Sequence, residues 1–310
     1  MGVLASLFGY VLNFLYNLVQ NYGIAIILFT VLLKIVMLPI SIKQQRTMKK
    51  SQEVQKEVDK AQLKYKNNPE MLSKEVMAIY KREKVSPFSG CLSGILQLVI
   101  FISVFYLVSR PLTYMKKVDP AVISKYEQEI AASGQSSSYQ EIKVIELKSG
   151  EDQNVALNMN FLGFDLSKVP MQNWKDWKVF IIPFFYVLLT FVNIRMTSKD
   201  MKKDKKIKEI EAGKEKDKVK EKELDKTDND LDKKVEKNNN KETPEEQLDS
   251  MKQMTNNMNY MMPIMSISIS LIAPLGLSLY WLISNILQLG EKIVIDKVMN
   301  NKKQEEIKDV

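Results

Sequence analysis

Lys34 is the one charged side chain in "YGIAIILFTVLLKIVMLPI", residues 22–40. An ammonium inside so apolar a stretch is costly wherever lipid surrounds it, which marks the position as a functional candidate. Thr30 lies four residues earlier and therefore on the same side of a helix. In a second apolar block Gln97 follows Ser93 by the same spacing, and Asn193 stands in a third. Near the C-terminus Ser278, Trp281, Asn285 and Gln288 recur at intervals of three and four, with Ser284 beside them. Short helices that each present such groups would surround a wet cavity, because lipid penalises the groups singly. Left neutral by burial, the Lys34 amine would act as a general base for the hydroxyl of Thr30 or Ser93, as in a Ser/Thr-Lys hydrolase. Kept charged, it would bind an anion in a small channel or transporter. Two structural readings compete: a lysine stem that snorkels about 9 Å to the water at the helix end, and hydroxyls and amides that only join helices.

Composition narrows the field. The 310 residues are 45% apolar and carry a formal charge of +8, with the charges gathered into blocks apart from the apolar ones, the pattern of an integral membrane protein. There is no histidine and one cysteine, Cys91. An internal disulfide, a Cys/His zinc centre and any triad needing imidazole are thereby excluded. No ATP-binding loop is present, and no metal or cofactor is expected.

The elements that must position these residues follow from the apolar blocks. Residues 1–21 have apolar positions at helical spacing and a narrow uncharged stripe of Ser6, Asn13, Asn17 and Gln20, which predicts an interfacial helix, an extension of the first span being the alternative. No basic residue precedes Lys34 and no small-residue cleavage site follows the first apolar stretch, so no leader is expected to be removed. Five spans are predicted at 22–40, 90–109, 178–196, 258–273 and 275–291, the last two separated by "APLG" and the third preceded by Trp174 and Trp177. Residues 41–84 read as a helical hairpin turning at "NNPE". Within the loop 110–176, "EIKVIELKSGEDQNVALNM" suggests a strand pair turning at "KSGED". Residues 197–256 form a charged linker, and 292–310 a cytoplasmic tail; counted from Gly290, the C-terminal segment has five lysines against five acids. Residues 43–84 hold twelve basic and six acidic residues and residues 1–33 no basic ones, so the N-terminus is expected outside and the C-terminus inside.

Four stretches carry more specific information: "YGIAIILFTVLLKIVMLPISIKQQRTMKKSQEVQ", "EVMAIYKREKVSPFSGCLSGILQLVIF", "FLGFDLSKVP" through "IIPFFYVLLTFVNIRM", and "MMPIMSISISLIAPLGLSLYWLISNILQ". In this order they resemble the YidC-type membrane protein insertases of bacteria, a family with relatives in mitochondria and chloroplasts. The resemblance covers roughly half of the chain. It implies an all-α integral membrane protein of the bacterial cell membrane, with five transmembrane helices around a hydrophilic groove open to the cytoplasm. It implies a non-enzymatic insertase and chaperone, in which Lys34, Thr30, Ser93, Gln97, Asn193, Trp281 and Asn285 line the groove and Phe185, Leu189, Leu279 and Leu282 accept the apolar part of a substrate. The implied partners are nascent membrane proteins, membrane lipids, the ribosome and the general secretion translocon, with no specific nucleic acid, and the basic hairpin is where an incoming chain or ribosome would touch first. Departures are Lys34 where the family usually has arginine, Ser93 where proline is common, Asn193 where glutamine is frequent, and a longer outer loop and linker than usual in the Gram-positive branch. No lipoprotein-type cysteine lies near the N-terminus. Lysine at position 34 removes any mechanism that needs a bidentate guanidinium.

Overall fold

Helices dominate the computed structural model, which describes residues 2–65, 68–86, 89–135, 137–196 and 265–308. The first helix, α1 (Gly2–Val19), is followed after two residues by α2 (Tyr22–Lys64), whose N-terminus is capped by Asn21 accepting from the Ile24 N–H at 3.1 Å. α2 does not stop at Pro39, where the apolar run gives way to charge; it continues for 43 residues, so span and hairpin arm share one helix. Met37 and Leu38 before Pro39 and Lys43, Gln44 and Gln45 after it favour helix, so the loss at the proline stays local. α3 (Pro69–Arg82) starts with Asn68 accepting from the Met71 N–H at 3.1 Å and with proline at its first position. It folds back on α2 through a small core of its own, Val54, Val58 and Ala61 against Leu72, Val76 and Ile79.

α4 (Ser89–Ser109) leads into a π-turn at Leu112–Lys116, then α5 (Pro120–Ala132) and α6 (Gln140–Lys148). The strand pair expected around "KSGED" is therefore absent from that place: residues 140–148 are helical. The alternation in "EIKVIEL" suggested a strand, but Glu141, Ile142 and Ile145 fall on one helical face, and this face is buried. The hairpin lies further on, β1 (Asn160–Phe161) paired antiparallel with β2 (Phe164–Asp165) across Leu162 and Gly163, both at positive φ as a tight hairpin turn requires. α7 (Trp177–Met196) opens with a 3₁₀ turn capped by Asp176. After the described part of α8 (265–272), Ala273 and Pro274 turn the chain into α9 (Leu275–Lys308), which runs without interruption into the tail. The linker at 197–256 and the start of the fourth span lie outside the described residues.

Among the described residues three helices are long and apolar enough to cross a membrane, namely α1, α2 and α7, with a shorter apolar helix over Gly94–Ser109. Contacts give their relative directions. A Cβ on Gly276 would meet Tyr22, Ile26 and Val108, each at 3.5 Å, which brings the starts of α2 and α9 to the end of α4. Trp281 of α9 stacks on Phe101, seven residues back along α4. Tyr186 and Thr190 of α7 meet Trp281 and Asn285, in the same order along the chain. Hence α2, α7 and α9 run one way and α4 the other. At the end where α2 and α9 begin, the segment 158–168 caps them: the Tyr22 N–H donates to Asn158 O at 3.0 Å, Leu275 N–H to Lys168 O at 2.9 Å and Gly276 N–H to Leu166 O at 3.1 Å. Helix-terminal donors that no helix can satisfy are thus bound to backbone carbonyls.

Candidate functional site

Beyond this capped end the polar residues of the spans separate into several environments. Thr30 is buried at 1% exposure, and its hydroxyl donates to its own helix at Ile26 O, 2.6 Å away. It is therefore committed to the backbone four residues earlier rather than to Lys34. Lys34 is half-buried, and the acidic side chain whose charge acts on it is Glu291 of α9. Asn285 donates through Nδ2 to Thr190 Oγ1 at 3.0 Å, and Thr190 donates in turn to Tyr186 O at 2.8 Å. Tyr186 also bonds the Ser266 hydroxyl, so one polar chain ties α7, α8 and α9 together. Asn193 is half-buried one turn further along α7, and Gln97 is exposed on α4. The Ser93 side chain lies outside the described residues.

Two expected site residues belong to the packing instead. Trp281 is 6% exposed, its ring stacked on Phe101 with centroids 5.4 Å apart and planes 8° from parallel, and flanked by Tyr186. A ring so buried, stacked on Phe101 and beside Tyr186, fills core volume. Leu279 is 3% exposed among the other buried residues of α9, so it offers no surface to a passing chain. Of the remaining apolar candidates Phe185 is exposed, while Leu189 and Leu282 are half-buried. The open apolar face of α7 is wider than expected: Phe184, Phe185, Leu188, Phe191 and Val192 recur at helical spacing along one side.

The family model for the 60Kd inner membrane protein matches residues 14–216 and 229–303. The chain belongs to this family. Similar proteins include one named membrane protein insertase YidC from Caldanaerobacter subterraneus subsp. tengcongensis, 40% identical over 108 residues, which are 35% of this chain and 52% of that protein. Proteins of the same name from Rickettsia prowazekii and Syntrophus aciditrophicus are 41% identical over 96 residues and 46% over 94. Those stretches make up 31% and 30% of this chain and 17% of each relative. The matched region thus spans about half the length of the first relative and under a fifth of the other two.

For this member of the family, sequence reasoning missed Tyr186, Thr190, Ser266 and Glu291. Glu291 was legible, since it continues the α9 stripe three residues after Gln288. Thr190 and Ser266 were not: single hydroxyls in apolar helices acquire meaning only from the neighbour they bond.

Proposed function

We propose that this chain is a membrane protein insertase that moves short polar, often acidic, segments of nascent membrane proteins across the bilayer and releases their apolar spans into lipid. The observation that carries the reading is the half-buried Lys34 within the apolar N-terminal part of α2, in a chain of this family. A polar segment loses its hydration in hydrocarbon at a cost of several kcal/mol. A groove open to the cytoplasm, holding Lys34, Gln97, Asn193 and Asn285, shortens that dry path, and the ammonium attracts an acidic segment. The exposed face of α7, with Phe185 at its centre and Leu189 and Leu282 beside it, then receives the apolar stretch. Partition of apolar surface into lipid supplies the driving force, so no bond is made or broken. In this reading the chain crosses the bacterial cell membrane five times with its N-terminus outside and α1 lying in the interface. The basic α2–α3 hairpin meets the incoming chain, the ribosome or the secretion translocon on the cytoplasmic side.

Reconstitution of the purified chain into liposomes with a single-span substrate carrying a short acidic tail, scored by protection of the tail from protease, tests the proposal. Lys34→Arg is expected to insert this substrate as well as the native chain or better, and Lys34→Ala about tenfold or more less well, the effect of losing roughly 1.4 kcal/mol of attraction. Failure of Lys34→Arg together with success of Lys34→Ala would refute the role of the cation. Anion flux through the same liposomes would favour a channel.

A further inference from the structure

α1 and the π-turn after α4 form a second concavity. The two approach so closely that a Cβ on Gly9 would sit 1.9 Å from the Tyr114 carbonyl oxygen. Beside this contact Gly2, Val3, Ser6, Leu7, Tyr10 and Tyr114 line a hollow of about 690 Å³. Its wall is apolar and open, Val3 and Leu7 being 87% and 58% exposed. Polar atoms gather at its rim. The Lys117 ammonium donates to Ser6 Oγ at 2.9 Å and lies 4.9 Å from the centre of the Tyr10 ring. The Tyr114 hydroxyl stands close over Gly2. Lys117 itself closes the π-turn in the left-handed region, at φ 55°, with its N–H donating to Leu112 O, which fixes where its side chain emerges.

Among the described residues Lys117 is in no ion pair. α1 contains no acidic residue, and Asp119, two residues beyond Lys117, accepts from the Ala121 N–H at 2.8 Å as the cap of α5. An ammonium has three donors, and Ser6 takes one of them. A further donor of Lys117, together with the proton of the Ser6 hydroxyl, is available to an anionic oxygen. Next to them lies an apolar trough flanked by two tyrosines, the residue type that spans the boundary between headgroups and hydrocarbon. The ligand chemistry that satisfies both halves is a phosphate joined to an acyl chain. We propose that this hollow binds an anionic phospholipid, with the phosphate on Lys117 and Ser6 and the first part of an acyl chain along Val3, Leu7 and Tyr10.

The test is binding of short-chain phosphatidylglycerol and short-chain phosphatidylcholine to the full chain in non-ionic detergent micelles. The native chain is expected to prefer phosphatidylglycerol about tenfold, an effect of the size one charge-assisted hydrogen bond supplies. Lys117→Gln is expected to abolish the preference, Lys117→Arg to keep it, and Leu7→Asn to weaken both lipids. A melting temperature of Lys117→Gln equal to that of the native chain separates loss of the site from loss of the fold. A preference that survives Lys117→Gln would overturn the proposal, and so would no measurable binding of either lipid. Equally tight binding of glycerophosphoglycerol, which has no acyl chains, would overturn it as well, because the trough would then contribute nothing.

Discussion

Burial at single residues sets the energetics on both sides of this molecule. Glu141 in α6 is 5% exposed, and the Thr113 N–H and hydroxyl donate to its carboxylate at 2.9 and 2.6 Å. Burial pushes this carboxyl above the ordinary range, while the Thr113 bonds and the charge of Arg110 pull it back. The folded chain therefore holds this proton more tightly than the unfolded chain, whose value lies at about 4.3. Its contribution to stability is complete below the ordinary carboxylate range and is lost as the pH rises through the raised value. Thermal melting from about pH 4 to 7 is expected to show the native chain losing stability relative to Glu141→Gln as the pH rises, and the opposite slope would contradict the assignment. At Asn285 the issue is a hydrogen bond between helices. Asn285→Ala breaks the link to Thr190, a loss of roughly 0.6 kcal/mol in a membrane setting, read as a small fall in melting temperature in detergent.

Elements hold together here through close approach and through local cores. α1 meets the π-turn at Gly9 because any side chain would collide with backbone, which cannot swing aside as a flexible side chain can. Gly9→Ala is expected to destabilise the chain by about 1–3 kcal/mol and to lower its melting temperature in detergent. The α2–α3 hairpin has a separate core around Val58, which is fully buried. Val58→Asp is expected to free α3, giving rapid protease cleavage between residues 65 and 69 while the apolar helices stay protected. In the β1–β2 turn, Leu162 sits at φ 52° and is 83% exposed, so it bears backbone strain with little packing in return. Leu162→Asn, a residue that tolerates this region, is expected to raise stability by up to about 1 kcal/mol.

For the molecule as a whole, the alternation of helix directions separates two ends. The loop 110–176 caps the starts of α2 and α9, and the hairpin extends from the far end of α2. If the chain crosses with its N-terminus outside, cysteines placed at these ends of a Cys91→Ser chain must react from opposite sides. Gly150→Cys is expected to react with a membrane-impermeant maleimide added to intact cells, and Leu63→Cys only after the membrane is opened. Reaction of both from the outside would exclude the proposed topology. The apolar face of α7 gives the same arrangement a lateral boundary, since five large apolar side chains on one side of one helix find lipid or a substrate span a better neighbour than water.

The helical class, the apolar blocks, the turn at "APLG" and the singular Lys34 were all readable in the sequence, because each rests on local composition and on periodicity along one helix. Glu291 was within reach on the same grounds. The strand pair was misplaced because "EIKVIEL" satisfies both a twofold and a helical period, and only the neighbour that covers it decides between them. Trp281 belonged to a polar stripe by its spacing, and the family resemblance made Leu279 part of an apolar slide, yet packing buried both side chains. The same holds for Thr30, whose hydroxyl turned to its own backbone, and for Thr190 and Ser266, which gained partners from other helices. Chain order specifies which residues share a face of a helix. Which face meets another helix, and which stays open to lipid or water, is a property of the assembled bundle, because burial depends on neighbours far apart in the chain.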